Sequence, residues 1–314
     1  MTSSGWSAAD VPDQRDRVAI VTGGNSGIGF EAAVVLAGRG AHVILACRDA
    51  GKAKTAVDAI RARHPAASVE TQSLDLASLA SVRAFADRVL AGQPRIDLLV
   101  NNAGVMAIPR RITADGFEMQ LGTNHLGHFA LTGLLLERLL ATPAARVVTV
   151  SSSAHRPGSI HFDDLQLERR YRKWVAYAQS KLANLLFTYE LDRRLRRVGA
   201  SVESVAAHPG YAATNLQFTG ARMENRPMLE RFFMLGNRLL AQSAAMGALP
   251  TLYAAAVPGL APGSYVGPDG FLEQRGHPTL VSTTPAARDE SMAAALWARS
   301  EELLGVRFDE VVAA

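Results

Sequence analysis

The sequence predicts a single α/β domain: a doubly wound parallel sheet of about seven strands with helices on both faces. Three observations lead there. Near the N-terminus a short apolar run ends in a glycine-rich turn and opens a helical pattern. Apolar runs and helical patterns then alternate along most of the 314 residues. No internal repeat, linker or low-complexity stretch divides the chain, so residues 1–314 read as one domain with its core over about 17–266.

Composition narrows the function classes. Hydrophobic residues make up 48% and charged residues 20%, which is ordinary for a soluble globular protein. The formal net charge is only +4, the arginines are spread out, and the aromatics are not interleaved with basic clusters, which argues against a nucleic-acid partner. Cys47 is the only cysteine, so no intramolecular disulfide can form. The first 17 residues are polar and lack the basic-then-apolar order of a signal peptide. No apolar run reaches the ~18 residues of a membrane span; the leucine-rich stretch over 126–140 is broken by Glu137 and Arg138. The expectation is a soluble, cytoplasmic protein with no membrane partner.

Val18–Thr22 is an apolar run that stops at glycines, as a buried strand does. Gly23-Gly24-Asn25-Ser26-Gly27-Ile28-Gly29 follows, and then a helical pattern over 30–39. Strand, glycine turn and helix present helix N-terminal amides to a phosphate, and glycine lets the backbone approach it closely. A P-loop would end in Gly-Lys-Ser/Thr, which is absent. A plain connector is the competing reading, but Thr-Gly-x-x-x-Gly-x-Gly is a tighter spacing than a loose glycine-rich turn.

A second strand over 41–46 runs into Cys47-Arg48-Asp49, where a dinucleotide fold meets the adenosine ribose. An acidic residue there accepts from a 2′-hydroxyl, whereas arginine pairs with a 2′-phosphate. Arg48 comes first, which points to NADP, with NAD as the alternative. The competing reading makes Arg48 a solvated helix-start residue and Asp49 an N-cap. Cys47 reads as a small packing residue beside the adenine site.

The alternation continues with a helix over 52–63, a strand over 68–74 and a helix over 78–90. Asp75-Leu76 lies at the level of an adenine amino group, while Ser78 suits a helix cap. A fourth strand over 96–100 enters Asn101-Asn102-Ala103-Gly104, which is either turn chemistry or, in the doubly wound order, a neighbour of the glycine loop. A helix over 123–140 carries Asn124, His125 and His128; no ligand cluster follows at metal spacing, so the histidines read as packed residues and no metal is expected.

Arg146–Val150 is the fifth strand and ends in Ser151-Ser152-Ser153. A polar, aromatic loop over 154–175 leads into a long helix over 176–195. A sixth strand over 201–207 ends in His208-Pro209-Gly210; a hydrolase reading of His208 fails because no Gly-x-Ser-x-Gly elbow is present. Residues 215–245, with Met, Phe and Leu among arginines, read as a substrate lid or an interface helix. An alanine-rich helix over 247–257 carries Pro250 in its first turn, a last strand covers 263–266, and a C-terminal helix covers 285–304.

Tyr177 and Lys181 share one face of the long helix, four positions apart. Only Tyr177 among the six tyrosines has a lysine four positions on. A free phenol has a pKa of about 10 and is a poor acid or base at neutral pH. A fixed cation beside it is expected to lower that pKa into a useful range.

Thr22-Gly23-Gly24-Asn25-Ser26-Gly27-Ile28-Gly29, Asp75, Asn101-Asn102-Ala103-Gly104, Asn124, Ser152, Tyr177-x-x-x-Lys181 and Pro209-Gly210 occur in this order. With these motifs the chain resembles the short-chain dehydrogenase/reductases over about residues 17–265. Asn124-His125-Leu126-Gly127-His128-Phe129 and Gln179-Ser180-Lys181-Leu182-Ala183-Asn184 are similar to the retinol dehydrogenase-like branch, which also holds WW-domain oxidoreductases and protochlorophyllide reductase-like enzymes.

The resemblance implies a Rossmann fold and an NAD(P)-dependent exchange between a carbonyl and an alcohol on a fairly apolar small molecule. Tyr177 would be the general acid/base, Lys181 would lower its pKa and hold the nicotinamide ribose, and Ser152 would bond the carbonyl oxygen. Asn124 would hold a water or backbone group in the proton relay. Gly23, Gly27 and Gly29 would cradle the pyrophosphate within a turn that includes Asn25 and Ser26, and Ile28 would cap its nicotinamide side. Asn102, Ala103 and Gly104 would bind the cofactor beside this turn, with Arg48, Asp75 and Leu76 at the adenosine. Pro209, Gly210 and Thr214 would meet the nicotinamide carboxamide side. A homodimer or homotetramer through the Asn124 and Tyr177 helices is the family's habit.

Three features depart from the pattern. Three serines run together, so Ser153 stays open beside Ser152. The Ser152–Tyr177 gap of 25 positions is about twice the family's common spacing. The membrane anchor of many retinol dehydrogenases is not expected here, since no apolar run is long enough to span a membrane. Two rival functions share the fold: reduction of a carbon–carbon double bond, and a non-catalytic regulator that binds NADPH. A regulator would need the glycine turn but not the Asn124, Ser152, Tyr177 and Lys181 set.

Overall fold

The structure, a computed structural model, describes residues 5–212 and 241–308. Its sheet contains β1 (Val18–Thr22), β2 (His42–Cys47), β3 (Val69–Ser73), β4 (Leu98–Asn101), β5 (Arg146–Val150), β6 (Glu203–Ala207), β7 (Tyr265–Pro268) and β8 (Pro278–Leu280). The order is β3-β2-β1-β4-β5-β6-β7-β8, parallel throughout except for β8, which runs antiparallel to β7. The fold is thus a single-domain Rossmann-like α/β fold. The eighth strand goes beyond the expected seven. It is three residues long and opens with proline, too short for any alternation to reveal it.

The central strands read as unbroken apolar runs because both of their faces are covered. Ile20, Ile44, Leu99 and Val147 enter one core, while Ala19, Val21, Val43, Leu45, Leu98, Val100 and Val148 enter the other. The second core is closed by α1 (Gly27–Gly38), α2 (Ala50–Arg63) and a later alanine-rich helix. The first is closed by α3 (Leu79–Gly92), a fourth helix and α5 (Lys173–Arg197).

That fourth helix, α4, corrects the expectation of a regular helix over 123–140. It starts with Met119–Leu121, widens into a π turn over Gly122–Leu126, and continues as an α-helix over Gly127–Leu140. A π turn places one extra residue in the helix and commonly marks a functional position. Two glycines bracket it for want of space: a Cβ on Gly122 would lie 2.5 Å from Thr113 Cγ2, and one on Gly127 2.5 Å from the Leu76 carbonyl. The buried Glu118 carboxylate caps the start, accepting from the amides of Gln120 (2.9 Å) and Leu121 (2.7 Å).

The alanine-rich helix α6 (Ala244–Ala256) begins earlier than expected because the Ser243 hydroxyl caps it, so Pro250 falls in its interior rather than its first turn. The C-terminal helix is broken at Asp289, which caps α7 (Glu290–Leu304) after a short 3₁₀ turn over Pro285–Arg288. Thr214 and nearly all of the expected lid lie outside the described residues. Among the described residues no helix is long and apolar enough to cross a membrane.

Candidate active site

The C-terminal ends of β1, β2, β4 and β5 open into a cavity of about 480 Å³. The sheet order reverses between β1 and β4, and open α/β sheets bind ligands in that crevice. The cavity floor is the turn from β1 into α1. Gly23 and Gly27 have φ values of +66° and +55°, a left-handed conformation that side chains disfavour. Gly29 is needed for space instead: a Cβ there would lie 2.4 Å from Asn102 Nδ2 and 2.7 Å from the Gly23 carbonyl.

Asn102 donates from Nδ2 to the Thr22 carbonyl at 2.8 Å, and the Thr22 hydroxyl accepts from the Asn102 and Ala103 amides, each at 2.9 Å. The turns after β1 and β4 are therefore one hydrogen-bonded unit. Asn25, Ser26, Ile28 and Gly104 complete this part of the wall. Ser26 stands at the α1 N-cap without a side-chain cap bond, so its hydroxyl does not compete for the helix's first amides.

Arg48, Asp75 and Leu76 line the opposite rim, together with Asp49 and Lys52. The side chains of Arg48 and Lys52 are each 74% exposed; Arg48 Nη1 is 4.0 Å from Asp75 Oδ2, and Lys52 Nζ is 3.5 Å from Asp49 Oδ2. Asp49 is also a helix cap, its Oδ1 accepting from the Lys52 amide at 3.0 Å. Asp75 Oδ1 accepts from the Ala77 amide at 3.0 Å, and Ser78 caps α3. Cys47 packs beneath the rim, where burial pushes its thiol up to about 11.

Tyr177 and Lys181 lie one turn apart on α5 and are 5% and 4% exposed. Of the three consecutive serines, Ser152 is the one whose side chain lies beside the Tyr177 hydroxyl and favours its phenolate. The Ser151 hydroxyl instead donates to the Lys181 carbonyl at 2.8 Å, and Ser153 starts a single 3₁₀ turn. Lys181 Nζ donates to the Val150 carbonyl at 3.0 Å and sits 5.8 Å from the Tyr177 ring centroid.

Electrostatics here corrects one expectation. Burial pushes the Tyr177 hydroxyl up to about 12, opposed only by the Ser152 hydrogen bond, and pushes the Lys181 ammonium down to about 8. Removal from water penalises both charged forms, and that outweighs any help the ammonium, 5.8 Å from the ring centroid, gives the phenolate.

Asn124 is fully buried and does not face the cavity. Its Nδ2 donates to the Val105 carbonyl and to Ser180 Oγ, both at 2.9 Å, and its Oδ1 accepts from the Val105 amide at 2.8 Å. Of the two roles expected for it, this side chain takes the backbone-holding one, joining the β4 turn to α5. Pro209 lines the cavity, whereas Gly210 turns away to the Gln274 carbonyl, where a Cβ would be 2.5 Å off.

His125 and His128 are buried, pushed down to about 3 and about 4, and bonded to neighbours, so both are neutral packed residues. Among the described residues no cluster of His, Cys, Asp and Glu could hold a metal. Lys52, Val105, Thr123 and Val150 line the cavity without having been anticipated. Lys52 sits in the first turn of α2, just past Arg48 and the Asp49 cap, whereas the others enter through contacts made on folding.

The short chain dehydrogenase family model matches residues 17–225. The chain belongs to that family. It is accordingly an oxidoreductase of the short-chain type, a family whose general mechanism is NAD(P)-dependent hydride transfer. Human retinol dehydrogenase 13 is 43% identical over 300 residues, covering 94% of this chain and 86% of that protein. Human retinol dehydrogenase 12 is 44% identical over 295 residues, covering 93% and 88%.

Among solved structures, an uncharacterised protein from Mycobacterium Paratuberculosis is 46% identical with a TM-score of 0.79, covering 97% of this chain and 99% of its own. A protein from Beutenbergia cavernae, described as an NAD(P) dependent gluconate 5-dehydrogenase with bound NADP at low occupancy, is 27% identical with a TM-score of 0.59 and covers 78% and 91%. The residues present here suit a dinucleotide: Gly29 keeps open a cradle that a single Cβ would fill, and the unblocked start of α1 suits a pyrophosphate.

Proposed function

We propose that the protein interconverts a carbonyl and an alcohol on a fairly apolar small molecule, with NADP preferred and Tyr177 as general acid/base. The observation that carries this reading is that the buried Tyr177 and Lys181 line the same cavity as the glycine turn, with Ser152 beside the phenol. The bound nicotinamide supplies or takes the hydride. Gly23, Gly27 and Gly29 hold the pyrophosphate, and Asn102 and Ala103 fix that turn. Arg48 and Lys52 offer two exposed cations for a 2′-phosphate, and their facing Asp75 and Asp49 lie no closer than 3.5 Å.

Tyr177 gives its proton to the carbonyl oxygen in reduction and takes it back in oxidation. Its pKa of about 12 keeps it protonated and ready to donate. Ser152, beside the phenol, offers a hydroxyl hydrogen to the oxygen where charge develops. Lys181, charged at neutral pH yet down at about 8, holds a cation 5.8 Å from the phenol ring centroid and favours the phenolate as it forms.

The test follows nicotinamide absorbance with a panel of aldehydes, ketones and quinones, alongside NADPH binding by fluorescence. Tyr177→Phe is expected to lower turnover by at least about 100-fold while leaving NADPH affinity intact. Turnover that survives in Tyr177→Phe would overturn the assignment, and a protein that binds neither NADPH nor NADH would overturn the whole reading.

A further inference from the structure

His128 lies in α4 just past the π turn, is 1% exposed, and touches neither the cavity nor solvent. Its Nδ1 is 3.0 Å from the Asn124 backbone carbonyl and its Nε2 is 2.9 Å from the Thr22 hydroxyl. A carbonyl can only accept, so Nδ1 must carry the hydrogen. In a neutral ring Nε2 is then bare and accepts the Thr22 hydrogen. The Thr22 oxygen keeps both lone pairs for the Asn102 and Ala103 amides, at 2.9 Å each. The other acceptor in reach of Thr22, the Val100 carbonyl, is farther at 3.2 Å.

The opposite end of the chain of bonds leads to the Tyr177 backbone. Asn124 donates to Ser180 Oγ at 2.9 Å, and Ser180 Oγ donates to the Tyr177 carbonyl at 2.8 Å. One imidazole thus stands between the glycine turn and the backbone that carries Tyr177.

Building on the function proposed above, we propose that His128 is a positioning residue. Its imidazole, fixed as the Nδ1–H tautomer, ties the dinucleotide turn through Thr22 to the Tyr177 helix through Asn124. The two ring nitrogens serve different ends. Asparagine at 128 reproduces the Nδ1 donor but falls short of Thr22. Glutamine reaches the Nε2 level and can accept from Thr22 but leaves the Asn124 carbonyl without its donor.

Three variants separate the ends, each checked for folding by its thermal transition. His128→Asn is expected to weaken NADPH binding about tenfold with kcat within about twofold of the parent. His128→Gln is expected to do the reverse, with kcat about tenfold lower and NADPH affinity within about twofold. His128→Phe loses both. A ¹⁵N-NMR spectrum of the cofactor-free protein, with the His128 signal assigned by its loss in His128→Gln, is expected to show protonated Nδ1 and bare Nε2.

An Nε2–H tautomer would overturn the proposal, whatever the activity. So would unchanged affinity and turnover in all three variants, or equal losses of both in the Asn and Gln proteins. If the parent turns over and Tyr177→Phe does not, such results fall on His128 alone. If the parent binds no dinucleotide, the function proposed above fails and the NMR result still decides the tautomer.

Discussion

Lys181 offers a direct test of how burial sets the chemistry of this site. Its ammonium is 4% exposed, its hydrogen-bond partner is the Val150 carbonyl at 3.0 Å, and burial brings it from 10.5 down to about 8. Below about pH 8 the folded protein holds a desolvated cation, whereas the unfolded chain holds a hydrated one. Between about 8 and 10.5 the unfolded chain binds an extra proton, so this group makes stability rise with pH. The contribution is fully present above 10.5 and is lost as pH falls through about 8. At about 1.4 kcal/mol per unit, the full effect is about 3 kcal/mol, most of it between roughly pH 7 and pH 10.

Lys181→Met keeps the length of the chain and removes the charge. Urea denaturation of parent and variant across that range gives the two stabilities at each pH. The advantage of the Met protein over the parent is expected to be largest near neutral pH and to shrink by about 2–3 kcal/mol toward pH 10. Parallel stability curves would refute the reasoning, because they would mean that the ammonium is as well solvated in the fold as in the unfolded chain. The same variant is expected to lose most turnover, which separates what the charge does for catalysis from what it does to stability.

Three further outcomes are expected. Arg48→Ala should weaken NADPH binding about tenfold or more and leave NADH nearly unaffected, with the difference shrinking as salt rises; equal effects on both would remove Arg48 from the 2′-phosphate site. Gly29→Ala should weaken both dinucleotides and lower stability by about 1–3 kcal/mol, because its Cβ would press on Asn102 Nδ2 at 2.4 Å; wild-type denaturation and binding would show that the turn yields freely. Trp297→Ala should lower stability by about 3–5 kcal/mol in urea melts, since this 2% exposed ring stacks on Phe187 at 5.8 Å, packs on Phe129 and Phe308, and carries the Arg194 guanidinium at 4.4 Å.

The sequence by itself determined what local chemistry writes plainly. Buried parallel strands such as Val18–Thr22 and Arg146–Val150 are continuous apolar runs, and the glycine turn after β1 has a spacing that backbone geometry demands. Tyr177 and Lys181 share a face because four positions make just over one helical turn. Helix caps at Asp49 and Ser78 were likewise legible, since a short polar side chain before a helical run has few other uses.

Tertiary structure decided the rest. Which of the serines lies beside the phenol depends on where the strand end meets α5, which spacing alone leaves open. The π turn at Asn124 has no sequence signature; the glycines that bracket it pack against Thr113 and the Leu76 carbonyl only in the folded chain. The eighth strand exists only because β7 offers it an edge to pair with. Above all, the direction of the Tyr177 and Lys181 shifts came from burial: neighbours in sequence can announce a cation beside a phenol, but only the folded chain fixes how much water each one loses.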